Sequence, residues 1–278
     1  MARLQRELRQ HAQRLVSDAL AAHPLFARRW PRLQVILSGS AVTEFADEYS
    51  GIDLIVLGDA GDLAELAEAL RVGGLESDRP GLYEVTVEGR RVSLILLSLD
   101  EAARRLAEYD DFAWAVLPGA PVLHDPEGRL AALTAGLGEV PRSVWAEKIR
   151  ARYRKFRRRQ ASIAWNLRRG QPYVLLDNLT RLVGHALAIC CYLDGKPPTG
   201  RKWIFQAAMR TNAGRRLRPY LFDLFSSLGE TATLGGSYQA GNNSLYRRLV
   251  AVHDALVSAI QEAGYDVGRG GPKEALDR

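Results

Sequence analysis

Hydrophobic residues change their rhythm partway along this chain. Up to about residue 138 they come in short runs divided by turn-forming residues; beyond it they recur every three or four positions over long stretches. In residues 2–22, Leu4, Leu8, Leu15, Ala19 and Leu20 have helical spacing and predict an amphipathic helix. Pro31 introduces a buried strand at 33–37 that ends on Gly39-Ser40, and residues 43–48 are expected to make one or two helical turns. A second apolar strand follows at 52–57, then a helix at 62–71 and two strands at 82–87 and 91–97, joined by a Glu88-Gly89 hairpin turn. Asp100 is expected to cap a helix through Leu106, because its carboxylate can accept from exposed amides. Trp114, Val116, Pro118 and Val122 suggest a helix running into a strand before the turn His124-Asp125-Pro126.

From residue 142 the pattern predicts a long helix, 142–169, with Val144, Ile149, Tyr153, Phe156, Ile163, Trp165 and Leu167 set among eleven basic residues. An apolar helix follows at 172–194, closed by Asp194-Gly195. Short helices are expected near 203–210 and 215–228, a polar loop at 235–243, a last helix at 244–263, and a frayed, Gly-rich tail after Val267. The expected class is an α/β unit with a mixed β-sheet, residues 1–138, followed by a mainly helical bundle, residues 139–278.

The net charge of +6 conceals an asymmetry: residues 1–140 carry 14 Lys/Arg against 22 Asp/Glu, and residues 141–278 carry 24 against 10. An acidic half joined to a basic half suggests two domains with different electrostatic tasks. The longest apolar run, near 187–193, is too short to span a bilayer, and the charged N-terminus lacks the apolar core of a signal peptide. A cytoplasmic protein without a membrane partner is therefore expected. Cys190 and Cys191 are adjacent in an apolar stretch and read as packed small hydrophobes; the five scattered histidines have no zinc-site spacing.

The richest stretch for chemistry is LSGSAVTEFADEYSGIDLIVL, residues 37–57. It leads from a strand through Gly39-Ser40 and a polar spacer into a second strand carrying Asp53. This layout resembles the nucleotidyltransferase superfamily, whose signature is Gly-Ser, a helical spacer, then Ser-Asp-x-Asp-Leu. The resemblance implies that Gly39 lets a triphosphate approach the backbone and that the Ser40 hydroxyl meets a phosphate oxygen, with ATP or another NTP and Mg²⁺ as cofactors. Asp53 and Leu54 match the second aspartate and the leucine after it, and Ser50 the serine before the pair. Gly51 stands where the first aspartate belongs, and Ser93 where the third does. Asp53 alone remains to ligate metal or act in catalysis, too few for a two-metal clamp. Asp47, Glu48, Glu44, Glu84 and Glu88 are the acids that could substitute; the plain alternative is that they are solvated surface charges.

A sheet of this type followed by helices looks like the aminoglycoside nucleotidyltransferases and related small-molecule adenylyltransferases. The Gly200-Arg201-Lys202-Trp203 segment resembles a Lys-Trp feature of their helical domain, which nominates Lys202 for nucleotide binding. Asp177 is the residue that could deprotonate the acceptor, or simply a paired or exposed helix residue. His185, on the same helix, reads as a satisfied core histidine. The basic helix at 142–169 has three readings: a solvated face, a phosphate-facing wall through Lys148, Arg152 or Lys155, or a nucleic-acid surface using Tyr153, Phe156 and Trp165. Three functions follow: a nucleotide- or phosphate-binding superfamily member with weakened or lost metal catalysis; an active adenylyltransferase using Asp53 and a substitute acid; or a scaffold or nucleic-acid partner acting through the basic half.

Overall fold

The structure, a computed structural model, describes residues 2–77, 81–87, 90–228 and 243–268; the expected Glu88-Gly89 turn, the loop at 235–242 and the tail beyond 268 lie outside the described residues. The chain forms two compact units, Met1–Glu139 and Val140–Arg278. The first is a mixed α/β sheet unit and the second is mainly helical, the class expected from the sequence.

In the sheet unit, α1 (Ala2–Arg14) and the π-helical turn after it, Leu15–Leu20, bury Leu8, Ala12, Leu15 and Val16 along one face. After α2 (Pro24–Ala27), β1 (Gln34–Ser38) pairs antiparallel with β2 (Ile52–Gly58). The chain then passes through α3 (Ala60–Val72) and β3 (Leu82–Val87), so that β4 (Arg90–Ser98) lies parallel to β2 and antiparallel to β3. This long return is what a parallel pair requires. Helices α4 (Leu99–Ala107) and α5 (Asp111–Val116) precede a short edge strand, β5 (Val122–His124), and α6 (Arg129–Thr134) closes the unit; the strand order is β3-β4-β2-β1-β5. Both faces of the central strands are covered. Ile52, Leu54 and Val56 pack with α1 and α3, while Ile55 and Leu57 pack with residues of α4, α5 and α6. Apolar runs rather than strict alternation are the consequence in β2.

Two local expectations fail here. Residues 43–48 are not helical; a single 3-10 turn, Gly39–Val42, is followed by bends. Polar side chains take the backbone groups that a helix would have used. Thr43 Oγ1 donates to Ser40 O at 3.0 Å, and the Ser50 hydroxyl accepts from Asp47 N at 3.0 Å while donating to the Asp47 carboxylate at 2.8 Å. Nor does Asp100 cap α4. The helix begins directly off β4, and the Ser98 hydroxyl accepts from Glu101 N at 3.1 Å, leaving Asp100 in the first turn.

The helical unit is built on α7 (Arg142–Arg169) and α8 (Pro172–Leu193), followed by α9 (Ile204–Arg210), α10 (Asn212–Ser226) and α11 (Ser244–Glu262). On α7, Ile149, Tyr153, Phe156, Ile163 and Leu167 form the buried stripe, and the basic residues occupy the remainder. By length and composition α8 could cross a membrane, but 61% of its most apolar window is buried within this unit, where it acts as the core helix. Cys190 and Cys191 are buried in it as free thiols, and burial pushes the Cys190 thiol far above its ordinary pKa. Deeper in the core, His253 Nε2 lies 2.9 Å from Tyr153 Oη and 3.1 Å from Arg157 Nη1, with Nδ1 2.8 Å from Asp254 Oδ1. An arginine facing Nε2 requires that nitrogen to accept, so the neutral ring carries its proton on Nδ1.

Candidate functional site

Strand register assembles a polar row across the sheet unit. Ser38 lies opposite Asp53, Asp53 beside Ser93, and Ser93 opposite Glu84, so four neighbouring strands each place one polar side chain on the same face. This is the face that α4 to α6 cover farther along the strands; near Asp53 it opens into a depression of about 750 Å³. Asp53, Ser93, Glu84, Arg91, Arg105 and Phe112 line it.

The Gly39 turn meets Asp53 at one end of the row. Gly39 has φ +67°, and a Cβ built on it would come within 2.6 Å of Asp53 Cγ and 2.8 Å of Asp53 Cβ. A side chain at 39 is therefore excluded twice, by backbone conformation and by the carboxyl group packed against it. Ser40 is buried next to it, and the Ser38 hydroxyl donates to Asp53 O at 3.2 Å. Gly39, Ser40 and Asp53, singled out in the sequence, thus share one corner of the sheet.

At Gly51, two residues before Asp53, the neighbour is a cation. A Cβ there would lie 3.1 Å from Arg91 O and 3.8 Å from Arg91 Nε. Arg91 also pairs with Glu84, Nη1 to Oε1 at 3.6 Å. A guanidinium stands beside the position where the resemblance expects a metal-binding carboxylate, which favours direct contact with an anion. Among the described residues, no three His, Cys, Asp or Glu side chains gather into a metal site. Beside Asp53 the row holds two serines, Ser38 and Ser93, and Glu84, which pairs with Arg91. Of the other acids, Asp47 is held by Ser50, Glu44 and Glu48 are exposed, and Glu88 lies outside the described residues. Glu84 and Arg91 were the residues that sequence reasoning undervalued. Counting alternate positions back from Ser93 would have pointed to Arg91; Glu84 needed the strand register.

In the helical unit, Arg152, Lys155, Arg158 and Arg159 of α7 and Asp177, Arg181 and His185 of α8 line a second depression, of about 610 Å³, with Thr199 and Arg201. Asp177 is exposed and accepts from Arg181 Nε at 2.8 and 2.9 Å. Lys202 points to the adjacent indole, its Nζ 4.7 Å from the Trp203 ring centre, and its neighbour Arg201 faces the depression instead. Lys148 lies over the Tyr192 ring. Tyr153 and Phe156 are buried and cannot stack on bases, whereas Trp165 is exposed beside Arg168 and Arg169. His185 corrects its reading as a satisfied core histidine: it is only half-buried and borders the basic depression, where α8 turns it toward the cations of α7. Burial, then the charges of Arg152, Lys155, Arg159 and Arg158, lower its pKa to about 4.

An acid dependence follows from the two histidines. His253 is also held below its ordinary value, chiefly by burial. The unfolded chain takes up protons near pH 6.5 while the folded unit resists, so stability is complete above that value and falls as pH drops toward about 4. Urea titrations between pH 7.5 and 4.5 are expected to show this fall, with a smaller slope in His185→Gln and His253→Gln. An unchanged slope in both variants would remove these histidines as its cause.

Residues 111–204 match the model of a domain of unknown function, DUF4037. None of the curated proteins matches the chain. Among solved structures, the chain is similar to a nucleotidyltransferase-like protein from Exiguobacterium sibiricum 255-15, at 15% sequence identity and a TM-score of 0.43, over 92% of this chain and 77% of that one.

Proposed function

We propose that this chain is a nucleotidyltransferase-superfamily protein that binds a nucleotide, or its phosphates, at the Gly39-Ser40 corner, with metal catalysis weakened or lost. The observation that carries the reading is the fit of the Asp53 carboxyl group against a side-chain-free Gly39 at the mouth of the polar row. The depression beside that corner is lined by the Asp53 carboxylate, the Ser93 hydroxyl and the guanidiniums of Arg91 and Arg105, and the two arginines suit phosphate oxygens. Gly51 beside Arg91, and Ser93 beside Asp53, supply a cation and a hydroxyl in place of two metal ligands. Small-molecule nucleotidyl transfer is on this reading the ancestral reaction.

Calorimetric titration with ATP tests it. Binding is expected in EDTA, with magnesium changing Kd by less than about threefold, equivalent to under ~1 kcal/mol, and without nucleotide turnover. Magnesium-dependent binding accompanied by transfer to an acceptor would reject the degraded site. It would favour the second reading, an active adenylyltransferase in which Glu84 substitutes for a lost acid, because Glu84 stands in the same row as Asp53. In that case Asp53→Asn and Glu84→Gln would each abolish turnover.

A further inference from the structure

We propose that the basic depression of the helical unit is a binding site for a compact polyphosphate, a chain of three or more phosphate groups, that requires no divalent metal. It goes beyond the reading of the sheet unit and stands whether or not that unit binds nucleotide.

Six cations converge on one concavity: Arg152, Lys155, Arg158 and Arg159 along a stripe of α7, Arg181 on α8, and Arg201 from the loop before α9. The single carboxylate among them, Asp177, is already occupied by Arg181. Lys155, Arg158 and Arg201 have no acidic partner among the described residues. Three of the guanidiniums are positioned by neighbouring side chains. Arg159 donates to the buried Asn178 Oδ1 at 2.8 Å, Arg152 to Tyr192 Oη at 3.4 Å, and Arg181 to Asp177. The concentration of like charge costs stability unless an anion offsets it, and Arg presents the fork that matches phosphate oxygens.

A second observation points to the same ligand. In the Pro-Pro-Thr-Gly loop at the edge of the depression, the Thr199 hydroxyl is buried without a hydrogen-bond partner. Buried hydroxyls are rarely left so, and a phosphate oxygen entering beside Arg201 would accept its proton. His185 adds a third group with spare capacity. Its neighbours are Arg152, Lys155, Arg158 and Arg159 from α7, Asp177 and Arg181 on its own helix and Arg201 from the loop; a polyanion arriving among them would let the ring take up a proton.

The lining also sets the ligand class. Apart from His185 it contains no aromatic ring on which a base could stack, and its volume of about 610 Å³ is that of a small-molecule site rather than an extended track. The phosphate chain is the recognised chemistry, free or carried by a nucleotide.

The test titrates sodium tripolyphosphate into the full chain in EDTA at pH 6.5 and physiological salt. Binding at micromolar Kd with proton uptake is expected, and Arg158→Ala/Arg201→Ala should weaken it about 100-fold, since two charge-assisted contacts are lost. ATP competing with equal affinity at this site would show that the phosphate chain suffices. Competition about tenfold tighter would show that the nucleotide carries it. In either case the double variant must lose the binding. No binding of tripolyphosphate, unchanged binding in the double variant, or displacement by a single-stranded RNA that binds far more tightly through the same arginines would overturn the proposal. Asp53→Asn separates the two sites, since it should leave intact the tripolyphosphate binding that the double variant loses.

Discussion

Gly39→Val is expected to abolish nucleotide binding and to destabilise the sheet unit by about 3 kcal/mol. Two costs combine. The residue has φ +67°, a conformation that a β-branched side chain all but excludes. The new Cβ would also collide with the carboxyl group of Asp53. Relief of that collision requires Asp53 or the turn to move, and either movement disturbs the corner where phosphate is proposed to sit. A double-mutant cycle separates the terms. With Gly39→Ala and Asp53→Ala, the pair should be less destabilised than the sum of the singles, by about 1 kcal/mol, because removing the carboxyl group relieves its collision with the new side chain but neither the contact with the Cβ of residue 53 nor the backbone strain. Urea denaturation of the four proteins measures it; strict additivity would show that contact with Asp53 is not what excludes a side chain at this position.

Phe156→Ala is expected to have the largest effect on the helical unit, a loss of about 3–5 kcal/mol. Phe156 is fully buried, with its ring 6.4 Å from that of Tyr153 and 6.1 Å from that of His253. Removing it leaves a cavity beneath the part of α7 that carries Arg152, Lys155 and Arg159, so the supports of those cations loosen as well. Trp165→Ala, on the same helix but half exposed, is the comparison and should change stability by less than ~0.5 kcal/mol. Equal losses in the two variants would mean that the stripe assignment on α7 is mistaken.

The long helices were legible because their signal is local and repeated. Ile149, Tyr153, Phe156, Ile163 and Leu167 recur over about five turns of α7, enough to fix which face is buried. The helix α6 has only six residues, too few for a period, and the bends after Val42 depend on hydroxyl contacts that no periodicity records. The site divides in the same way. Gly39, Ser40 and Asp53 could be read from a contiguous motif, since one turn and two adjacent strands bring them together. Glu84 joins them only because β3 pairs with β4 in one particular register, and a slip of one residue would have sent it to the other face. The basic depression was harder still: it joins α7 to Thr199 and Arg201 through packing, so the charge could be counted in the sequence but its convergence could not.

The two adjacent thiols of α8 give the helical unit an internal clock. With Cys190 and Cys191 both sealed in the core and Cys190 held in its unreactive protonated form, a thiol reagent has no entry while the helices are closed. Each modification event then registers a separation of α8 from its neighbours, so the speed of labelling, followed against temperature or added polyanion, reads out how often this core opens without any engineered probe.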